Sequence, residues 1–478
     1  MTAVITDEGV QSGKGGGGAA GGGRFAGRAG LVLGVMLGVA LLKLAWHATT
    51  SYVLQPQLAE YFLVDLDIYL DATDQMLGGG ELYDADPPFN YPPFAAYLFA
   101  PFAVVPQWLA AGVWYVGKML CLQLLIFWYL GRRGTPLRRR LTLAAVWAFL
   151  LSLVFDALQH DFSAGQVNLL LMGLVLWDLF RDPGDTGRAA RWRGVGTGLA
   201  AAVKVVPALF IVHLFLTRQY RTAAVATGTF LATVAIGFAT LPHSAWRYWT
   251  EVLWASERVH EFPSNVLNQS LRGVVTRAAG LDSDPLWLAS AALVAAGGLA
   301  LAVGLHRRGL TLEALCAIGV VIPLVTPLAW THHWVWSFPA TLLVYTWARG
   351  SWKRVTVAVV VTLLLHGKVY FLANIGARDD DDLWTHVGSL ELGPGKQLLA
   401  SSVVAGGLVL LLLGALALRA AARRPSPEPV AGSPRPALVE EKPRKERTPD
   451  EKPRKERAQD EEPRGERARD EKAREERV

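Results

Sequence analysis

Long apolar runs recur along the whole chain, and they restrict it to folds that a lipid bilayer can hold. Hydrophobic residues make up 52% of the 478 residues, and the mean hydropathy is +0.27. A soluble protein of this size would contain only short apolar runs, whereas runs of roughly 15–25 residues match a hydrocarbon core about 30 Å thick. The sequence therefore predicts an all-α polytopic membrane protein.

Positively charged residues predict how the chain is oriented. Lys and Arg are concentrated in short segments between the apolar runs, and such segments usually lie on the cytoplasmic side. The predicted cytoplasmic segments are 132–140, 181–193, 218–221, 306–309, 349–354 and the residues after 419. The predicted outer loops are 47–106, 159–165, 241–284, 329–333 and 373–396. The predicted full spans are 29–46, 107–130, 141–158, 166–180, 222–240, 285–305, 311–328, 334–348, 355–372 and 397–418. Both termini are then cytoplasmic, on a plasma-membrane protein.

Two segments do not fit a straight span. Residues 194–216 carry Lys204 near their middle and Pro207 three residues later. Proline breaks a helix and a lone cation is costly in hydrocarbon, so a pair of half-height helices meeting near Lys204 is predicted. This pair brings the expected total to about 12 transmembrane helices. Residues 92–105 are framed by prolines and predict an interfacial helix, with a full span as the alternative.

The two ends lie outside the predicted membrane domain, 29–420. Residues 1–28 form a Gly-rich leader, and 421–478 form a charged tail that repeats with a period of ten, as in EKPRKERTPD and EKPRKERAQD. Almost no apolar residue is present in the tail, so it cannot bury a core and disorder is expected. Cys121 and Cys316 both fall in predicted spans, which argues against a disulfide framework. The net charge of +6 resides in membrane-flanking segments and the tail, so no nucleic-acid partner is expected.

An acidic outer loop is the strongest indication of chemistry. No Lys or Arg occurs from Leu44 to Gly117, whereas carboxylates are frequent there. The segment 65–77 has helical character, with Asp65 and Tyr69 one turn apart on one face and Asp67 on another. Exposed aspartates are usually only solvated. Carboxylates beside a membrane, however, are what a glycosyl transfer from a lipid phosphate needs as a base.

Amide and imidazole side chains collect at the outer ends of other predicted spans. Gln166 and Asn168 open one span, and Asn268 and Gln269 lie in the outer loop 241–284. His332 and His333 lie in a very short outer loop. Adjacent histidines without Cys or Glu at ligand spacing are a weak metal signal, so no metal is expected. Hydrogen bonding to a sugar or phosphate is favoured, and interfacial packing beside Trp330 and Trp334 is the alternative.

Three positively charged residues occur where the positive-inside rule does not predict them. Arg272 and Arg277 lie in a predicted outer loop, where a forked guanidinium suits a phosphate. A surface ion pair with Glu251, Glu257 or Glu261 explains them equally well. Lys204 is an intramembrane cation and is therefore a candidate site residue. Its alternative role is a structural contact that holds the half-helices together.

The order of these segments resembles glycosyltransferase family 87, the polyprenyl-phosphate-mannose-dependent mannosyltransferases with the GT-C fold. The resemblance covers residues of about 30 to 420 and excludes the leader and tail. It rests on Asp65-Leu66-Asp67-Ile68-Tyr69, Gly80-Glu81-Leu82-Tyr83, Phe89-Asn90-Tyr91-Pro92-Pro93, Gly165-Gln166-Val167-Asn168, Lys204 with Pro207, Asn268-Gln269-Ser270-Leu271 with Arg277, and Pro327 through His332-His333-Trp334.

The resemblance implies a specific reaction. A hexose, with mannose as the expected sugar, would pass from a polyprenyl-phosphate donor to a lipid-linked or cell-envelope glycan on the outer face, with no further cofactor. Asp65 matches the family's proposed general base, and Asp67 is the second choice. Tyr69 and Tyr91 belong to the matching first-loop motifs, the two histidines match residues at the donor or acceptor site, and Lys204 and Arg277 are the expected phosphate contacts. One base without a covalent intermediate would invert the anomeric centre.

Other functional classes stay open at this point. A multi-spanning transporter of lipid or sugar would also explain many spans, a broken helix and an intramembrane Lys. However, the two halves show no repeat, and the polar residues gather toward the outer surface. A non-catalytic scaffold that recruits a partner through its tail is a third reading, and a transferase for arabinose or glucose is a fourth.

Overall fold

The part of the chain that the computed structural model describes is mostly α-helical. That part comprises residues 18–50, 53, 62–180, 191–255, 263–279, 283–374 and 393–423, with side chains from residue 34 onward. Within these ranges no β-strand forms. The α-helices are α1 (Gly18–Thr49), α2 (Val64–Leu77), α3 (Pro93–Ala103), α4 (Gln107–Arg132), α5 (Leu137–Val154), α6 (Asp156–Ala164), α7 (Asn168–Leu179), α8 (Val195–Val203), α9 (Ala208–Leu216), α10 (Tyr220–Thr240), α11 (Pro242–Arg247), α12 (Leu271–Ala279), α13 (Asp284–Arg307), α14 (Thr311–Val325), α15 (Ser337–Ala348), α16 (Trp352–His366), α17 (Pro394–Ala400) and α18 (Ser402–Ala422).

Four of these helices are long and apolar enough to cross a membrane by themselves: α4, α10, α13 and α18. A fifth span results if α5 and α6 count as one broken span. Helices α7 and α14 are apolar but shorter. The all-α membrane architecture is thus confirmed, whereas the total of about 12 transmembrane helices stays a prediction.

The predicted span 141–158 is not a straight helix, which corrects the sequence-based boundary. The helix bends by 88° at Phe155, between α5 and α6. Phe155 has an extended backbone and interrupts the regular helical turn. The predicted outer loop 159–165 is consequently largely helical, because α6 continues to Ala164.

The predicted break at Lys204 is confirmed. Helix α8 ends at Val203, Lys204 is extended with φ −146 and ψ 127, and α9 begins after Pro207. Proline has no backbone N–H to donate, so it is compatible with a helix start but not with a helix interior. The start of α8 is held by Asp178, whose carboxylate accepts hydrogen bonds from the backbone N–H of Gly194 and of Thr197 at 2.8 and 2.9 Å.

The segment 92–105 forms α3, a helix of 11 residues. At 1.5 Å per residue it is about 16 Å long, which is too short to cross the hydrocarbon core. The first helix begins at Gly18, inside the predicted leader. Residues 1–17, the repeat tail and the acidic run 379–382 lie outside the described residues.

The helices pack as antiparallel neighbours, with α4 against α5, α13 against α14 and α15 against α16. Large apolar side chains point away from the core, including Leu42, Leu293 and Leu412, which is 59% exposed. Such a surface suits contact with lipid chains. The basic segments follow the ends of α4, α9, α13 and α15, whereas Asp65, Asn168 and His332 lie near the opposite helix ends.

Candidate active site

Helix α2 holds Asp65 in its first turn. Leu66, Tyr69, Leu70 and Met76 are buried at helical spacing, so one face of α2 packs against the core. Before the helix, Leu63 takes a left-handed conformation, and its N–H donates to the Ser163 carbonyl of α6 at 2.6 Å. The carboxylate of Asp65 is consequently fixed at a helix N-terminus, where a negative charge is favourable.

A tight turn between α6 and α7 carries Gln166 and Asn168 to the same place. Gly165 in this turn has φ 75, and a Cβ there would lie 2.8 Å from the Cβ of Leu66. Only glycine fits this close approach without strain. Its carbonyl also accepts a 2.7 Å hydrogen bond from the indole of Trp114. The turn thereby packs directly against the helix that bears Asp65.

Lys204 joins these elements through a polar network. Its ammonium donates to Oδ1 of Asn168 at 3.0 Å and lies 3.5 Å from the Tyr91 hydroxyl. The Tyr91 hydroxyl donates to Oε1 of Gln166 at 3.2 Å and lies 2.8 Å from the hydroxyl of Tyr69. Side chains from four separate segments therefore converge on one point.

The imidazole rings of three histidines, His160, His332 and His333, lie close together. The ring of His332 lies 4.5 Å from that of His333 and 4.7 Å from that of His160, between centroids. Both ring nitrogens of His332 are buried and make no hydrogen bond within the described residues. Burial holds the pKa of His332 and of His333 well below the ordinary value, so both rings are neutral. The described residues contain no group of three His, Cys, Asp or Glu side chains that could hold a metal ion.

A cavity of about 320 Å³, the first chamber, lies beside this network and the rings of His332 and His333. The polar residues of its wall include Asp65, Tyr69, Tyr91, Gln166, Asn168, Lys204, His332 and His333. Most of the remaining wall is apolar and comes from α7, the segments 205–210 and 248–255, and the residues after α14. The chamber thus combines a carboxylate and an ammonium with an apolar lining, as a site for a sugar phosphate on a lipid requires.

A second chamber of about 510 Å³ adjoins the first. The two share part of their walls, namely Asp65, Ile68, Pro88, Asn90, Trp330 and His332. The polar groups of the second chamber alone include Lys43, His47, Asp156, His160, Lys368 and Tyr370. Asp65 is the carboxylate that both chambers reach, so a group bound in either one can contact it.

The environment raises the pKa of Asp65 to about 6. Burial is the largest cause, since it disfavours the charged carboxylate. The hydrogen bond from Gln166 and the charges of Lys204 and Lys118 oppose the shift, while Asp161 adds to it. Asp65 is thereby ionised at neutral pH and still more basic than an ordinary aspartate.

Asp67 has different surroundings. It accepts a 2.8 Å hydrogen bond from the Gln107 side chain and lines neither chamber. Burial also raises its pKa. The two aspartates therefore lie two residues apart but differ in access to the cavities.

The amide side chains of Asn268 and Gln269, in the loop before α12, do not line either chamber. Gln269 is fully buried, and its amide donates to the Ala400 carbonyl at 2.7 Å. Asn268 fixes the turn before the histidines, because its Oδ1 accepts from the Ala329 N–H at 3.1 Å. These two amides thus hold backbone segments together behind the site.

The guanidinium groups of Arg272 and Arg277 already have hydrogen-bond partners within the protein. The Arg277 guanidinium is buried and donates to the carbonyls of Asn265 and Asn268 at 2.9 and 3.2 Å. Arg272 forms a two-point contact with Asp284, at 3.0 and 3.1 Å, rather than with Glu251. Glu257 and Glu261 lie outside the described residues. The structure therefore does not bring either guanidinium to the cavity.

A buried ion pair supports the site and was missed in the sequence. Lys118 of α4 lies 2.7 Å from Oδ1 of Asp161, and both side chains are fully buried. Oδ2 of Asp161 accepts from the Leu169 N–H at 3.3 Å, and the Asp161 carbonyl accepts from the Gln166 N–H at 3.0 Å. The pair thereby fixes both ends of the turn that carries Gln166. A lone cation in an apolar run, the criterion that selected Lys204, would also have selected Lys118 and Lys43.

A larger cavity of about 730 Å³ lies toward the basic ends of the helices. Its walls are mostly apolar, with Arg133 and Arg349 among them, and include no carboxylate or imidazole. It meets the first chamber only at Met172. Because it lacks a base, the two chambers around Asp65 are the better candidate for chemistry.

The chain is similar to known proteins over much of its length. The model of glycosyltransferase family 87 matches residues 89–327, which include Tyr91, Gln166, Asn168 and Lys204. Asp65 and His332 lie outside the matched range. No solved structure matches the chain.

Two curated relatives have informative names. A polyprenol-phosphate-mannose-dependent alpha-(1-2)-phosphatidylinositol mannoside mannosyltransferase of Mycobacterium tuberculosis is 32% identical, over 70% of this chain and 79% of its own length. A polyprenol-phosphate-mannose-dependent alpha-(1-2)-phosphatidylinositol pentamannoside mannosyltransferase of Mycolicibacterium smegmatis is 30% identical, over 58% of this chain and 68% of its own length.

Proposed function

The chain belongs to glycosyltransferase family 87, and we propose that it transfers mannose from a polyprenyl-phosphate donor to a lipid-linked glycan, with Asp65 as the general base. The observation that carries this proposal is the position of Asp65 in the wall between two chambers. A transfer between two lipid-borne substrates needs a base at the place where the acceptor hydroxyl meets the donor.

The first chamber suits the donor. It contains Lys204, whose ammonium lies beside Tyr91 and Asn168 and can contact a phosphate oxygen. Its apolar walls can hold the first isoprene units. The second chamber then receives the acceptor, with the attacking hydroxyl directed at Asp65.

The reaction follows from these positions. The Asp65 carboxylate accepts the proton of the acceptor hydroxyl while the oxygen attacks the anomeric carbon. The bond from that carbon to the phosphate oxygen breaks, and the lipid phosphate leaves as an anion next to Lys204. A base in this position contributes roughly 10²- to 10⁴-fold to the rate. Cations near the leaving phosphate replace a general acid.

This mechanism implies inversion of the anomeric centre. A single displacement places the incoming oxygen opposite the leaving phosphate, and no second carboxylate acts as a nucleophile. Asp67 lies outside both chambers, which supports a one-base mechanism. Asp156 and Asp161 are each engaged by a lysine.

We also propose that the site faces the outer side of the plasma membrane and that both termini are cytoplasmic. The basic segments follow one set of helix ends, whereas Asp65, Asn168 and His332 lie near the opposite set. By the positive-inside rule the basic ends are cytoplasmic. This orientation would give Asp65 access to envelope glycans.

The proposal can be tested with membranes that contain the protein. They are incubated with radiolabelled polyprenyl-phospho-mannose and extracted envelope lipids, and labelled glycolipid is separated and its new linkage determined. We expect a labelled product whose anomeric configuration is opposite to that of the donor. Retained configuration would contradict the single displacement, and the absence of any product with this donor would contradict the proposed reaction.

A further inference from the structure

His160 of α6 is a histidine of the second chamber that the proposed reaction does not use. The residue is half-buried, and its Nδ1 lies 2.7 Å from the Thr331 hydroxyl. Within the described residues its Nε2 makes no hydrogen bond. The ring of His332 lies 4.7 Å away between centroids, but neither of its nitrogens is hydrogen-bonded to His160. One nitrogen of His160 is therefore left for a ligand in the chamber.

The surroundings of Thr331 determine which nitrogen of His160 carries the proton. Besides His160, the Thr331 hydroxyl reaches the Asp156 carboxylate and the Tyr370 hydroxyl. Tyr370 donates its own proton to Oδ2 of Asp156 at 2.9 Å, so it can only accept from Thr331. An ionised carboxylate likewise accepts hydrogen bonds and donates none. The Thr331 proton is therefore directed at one of these two groups.

The charge of Lys368 fixes the rest of this network. Its ammonium lies 3.6 Å from Oδ1 of Asp156, and this ion pair favours the ionised carboxylate. The same positive charge disfavours a second proton on the His160 ring. A neutral imidazole has one N–H donor and one acceptor nitrogen. Because the Thr331 oxygen then accepts from Nδ1–H, Nε2 of His160 is the acceptor nitrogen, with a lone pair that has no partner.

We propose that Nε2 of His160 selects the acceptor by accepting a hydrogen bond from one of its sugar hydroxyl groups, other than the one that attacks. This inference rests on the proposed function, since it assigns the second chamber to the acceptor. Asp65 and His160 line the same chamber, so an acceptor bound there meets the base and this nitrogen together. A sugar without that hydroxyl would leave the nitrogen unpaired, which costs binding free energy. Thr331 and Asp156 act through His160 and are positioning residues that fix its tautomer.

A series of matched sugars tests the contact. The parent probe is an alkyl mannoside, and in each of its monodeoxy analogues one hydroxyl group is replaced by hydrogen. Equilibrium binding of each radiolabelled probe to the purified full-length protein is measured without a donor. The same probes are then used as acceptors at saturating polyprenyl-phospho-mannose. An intact binding pattern without any transfer would contradict the proposed function and leave this contact standing, so the two failures are distinguishable.

His160→Asn separates the two ring nitrogens. The shorter amide keeps an N–H near the position of Nδ1, where it can donate to Thr331, but places no atom at the position of Nε2. We expect it to weaken binding of the parent probe roughly 3- to 10-fold and to remove the penalty of the one deoxy analogue that binds poorly to the wild-type protein. The acceptor KM should rise and the donor KM should stay unchanged. His243→Asn, at an exposed histidine outside both chambers, is the matched control and should alter neither binding nor transfer.

Thr331 provides a test of the tautomer. Thr331→Val removes the hydroxyl at nearly the same volume, so the proton of His160 is free to move to Nε2. We expect this variant to discriminate less between the parent probe and the poorly bound deoxy analogue. Thr331→Ser keeps the hydroxyl and should restore the discrimination. A merely structural role of Thr331 would instead weaken all probes by the same factor.

Several results would overturn the inference. The first is equal binding of the parent probe and all its deoxy analogues by the wild-type protein, or no binding of the parent probe at all. The second is a deoxy penalty that persists unchanged in His160→Asn. The third is a change in the donor KM alone. If His160→Asn does not fold, the comparison of Thr331→Val with Thr331→Ser decides the matter, and equal discrimination by these two variants would then contradict the proposal.

Discussion

The Lys204 ammonium lies 3.0 Å from Oδ1 of Asn168, so a cation at the break between α8 and α9 is held by the first residue of α7. An amide oxygen orients the ammonium without neutralising it, which a carboxylate would do. The Lys204 charge consequently stays available to a phosphate in the first chamber. In contrast, Lys118 forms an ion pair with Asp161 and has a structural role.

Replacing the two aspartates of α2 separately tests the base. Asp65→Asn removes the proton acceptor and should reduce transfer by roughly 10²- to 10⁴-fold. Asp67→Asn should retain near-normal transfer, because Asp67 contacts Gln107 outside both chambers. Initial rates are measured in membranes with equal amounts of inserted protein. A loss in Asp67→Asn combined with activity in Asp65→Asn would reverse the assignment.

The dependence of the rate on pH follows from the raised pKa of Asp65. Its pKa of about 6 means that the carboxyl gains a proton as the pH falls through 6. The protonated form cannot accept the proton of the acceptor hydroxyl. We therefore expect kcat/KM to be constant above about pH 7 and to fall about tenfold per unit below pH 6.

The control for this profile is Asp67→Asn, which should show the same fall at acidic pH. A profile that stays level down to pH 4.5 would mean that Asp65 is not the group that titrates. Protein unfolding at acidic pH is excluded by recovery of activity after return to neutral pH.

Lys204→Gln tests the donor site. The substitution removes a charge next to the proposed phosphate position but keeps a hydrogen-bond donor. Contacts with a charged group contribute about 1.5–3 kcal/mol, so the donor KM should rise about 10- to 100-fold. The acceptor KM should change much less. Equal changes in both KM values would argue that Lys204 has a structural role and holds the two half-height helices together.

The buried pair Lys118–Asp161 should be sensitive to loss of one partner. Lys118→Met leaves the Asp161 charge uncompensated and should cost about 3–5 kcal/mol of stability. Adding Asp161→Asn removes that charge and keeps an acceptor for the Leu169 N–H, so part of the stability should return. Thermal unfolding in detergent, followed by tryptophan fluorescence, measures both variants. Additive losses would mean that the pair does not act as a unit.

Arg277→Met distinguishes packing from phosphate binding. The guanidinium bonds to backbone carbonyls behind the site, so its loss should lower stability by about 3 kcal/mol. Donor and acceptor KM values of the surviving protein should change together and by less than about threefold. A selective rise of the donor KM at unchanged thermal stability would instead restore the phosphate contact suggested by the sequence.

The sequence predicted those features that depend on strong local rules. The break at Lys204 follows from a proline and a charge in an apolar run, and the face shared by Asp65 and Tyr69 follows from helical spacing. The bend at Phe155 was not predictable, because no proline or glycine marks it. Helix α6 packs against the segment 331–334, which is far from it in the sequence.

Some of the site residues could be predicted because they also follow local sequence rules. Polar residues at span ends, such as Gln166 and Asn168, do reach the first chamber. Arg277 was expected there too, but sequence cannot tell whether a guanidinium is used by a ligand or by nearby carbonyls. The second chamber was missed because Lys43 and Lys368 are far apart in the chain and come together only through tertiary packing.

The bend at Phe155 also makes the nine-residue helix α6 sensitive to length. Asp156, Gln159, His160 and Ser163 line the second chamber, while Asp161 on the other flank meets Lys118. Each residue turns a helix by about 100°, so deleting one residue would rotate every later side chain by that angle. Asp161 would then no longer face the Lys118 ammonium, and His160 would no longer line the second chamber. A point substitution in α6 can alter one contact at a time. An insertion or deletion would displace both the residues that line the second chamber and the partner of Lys118.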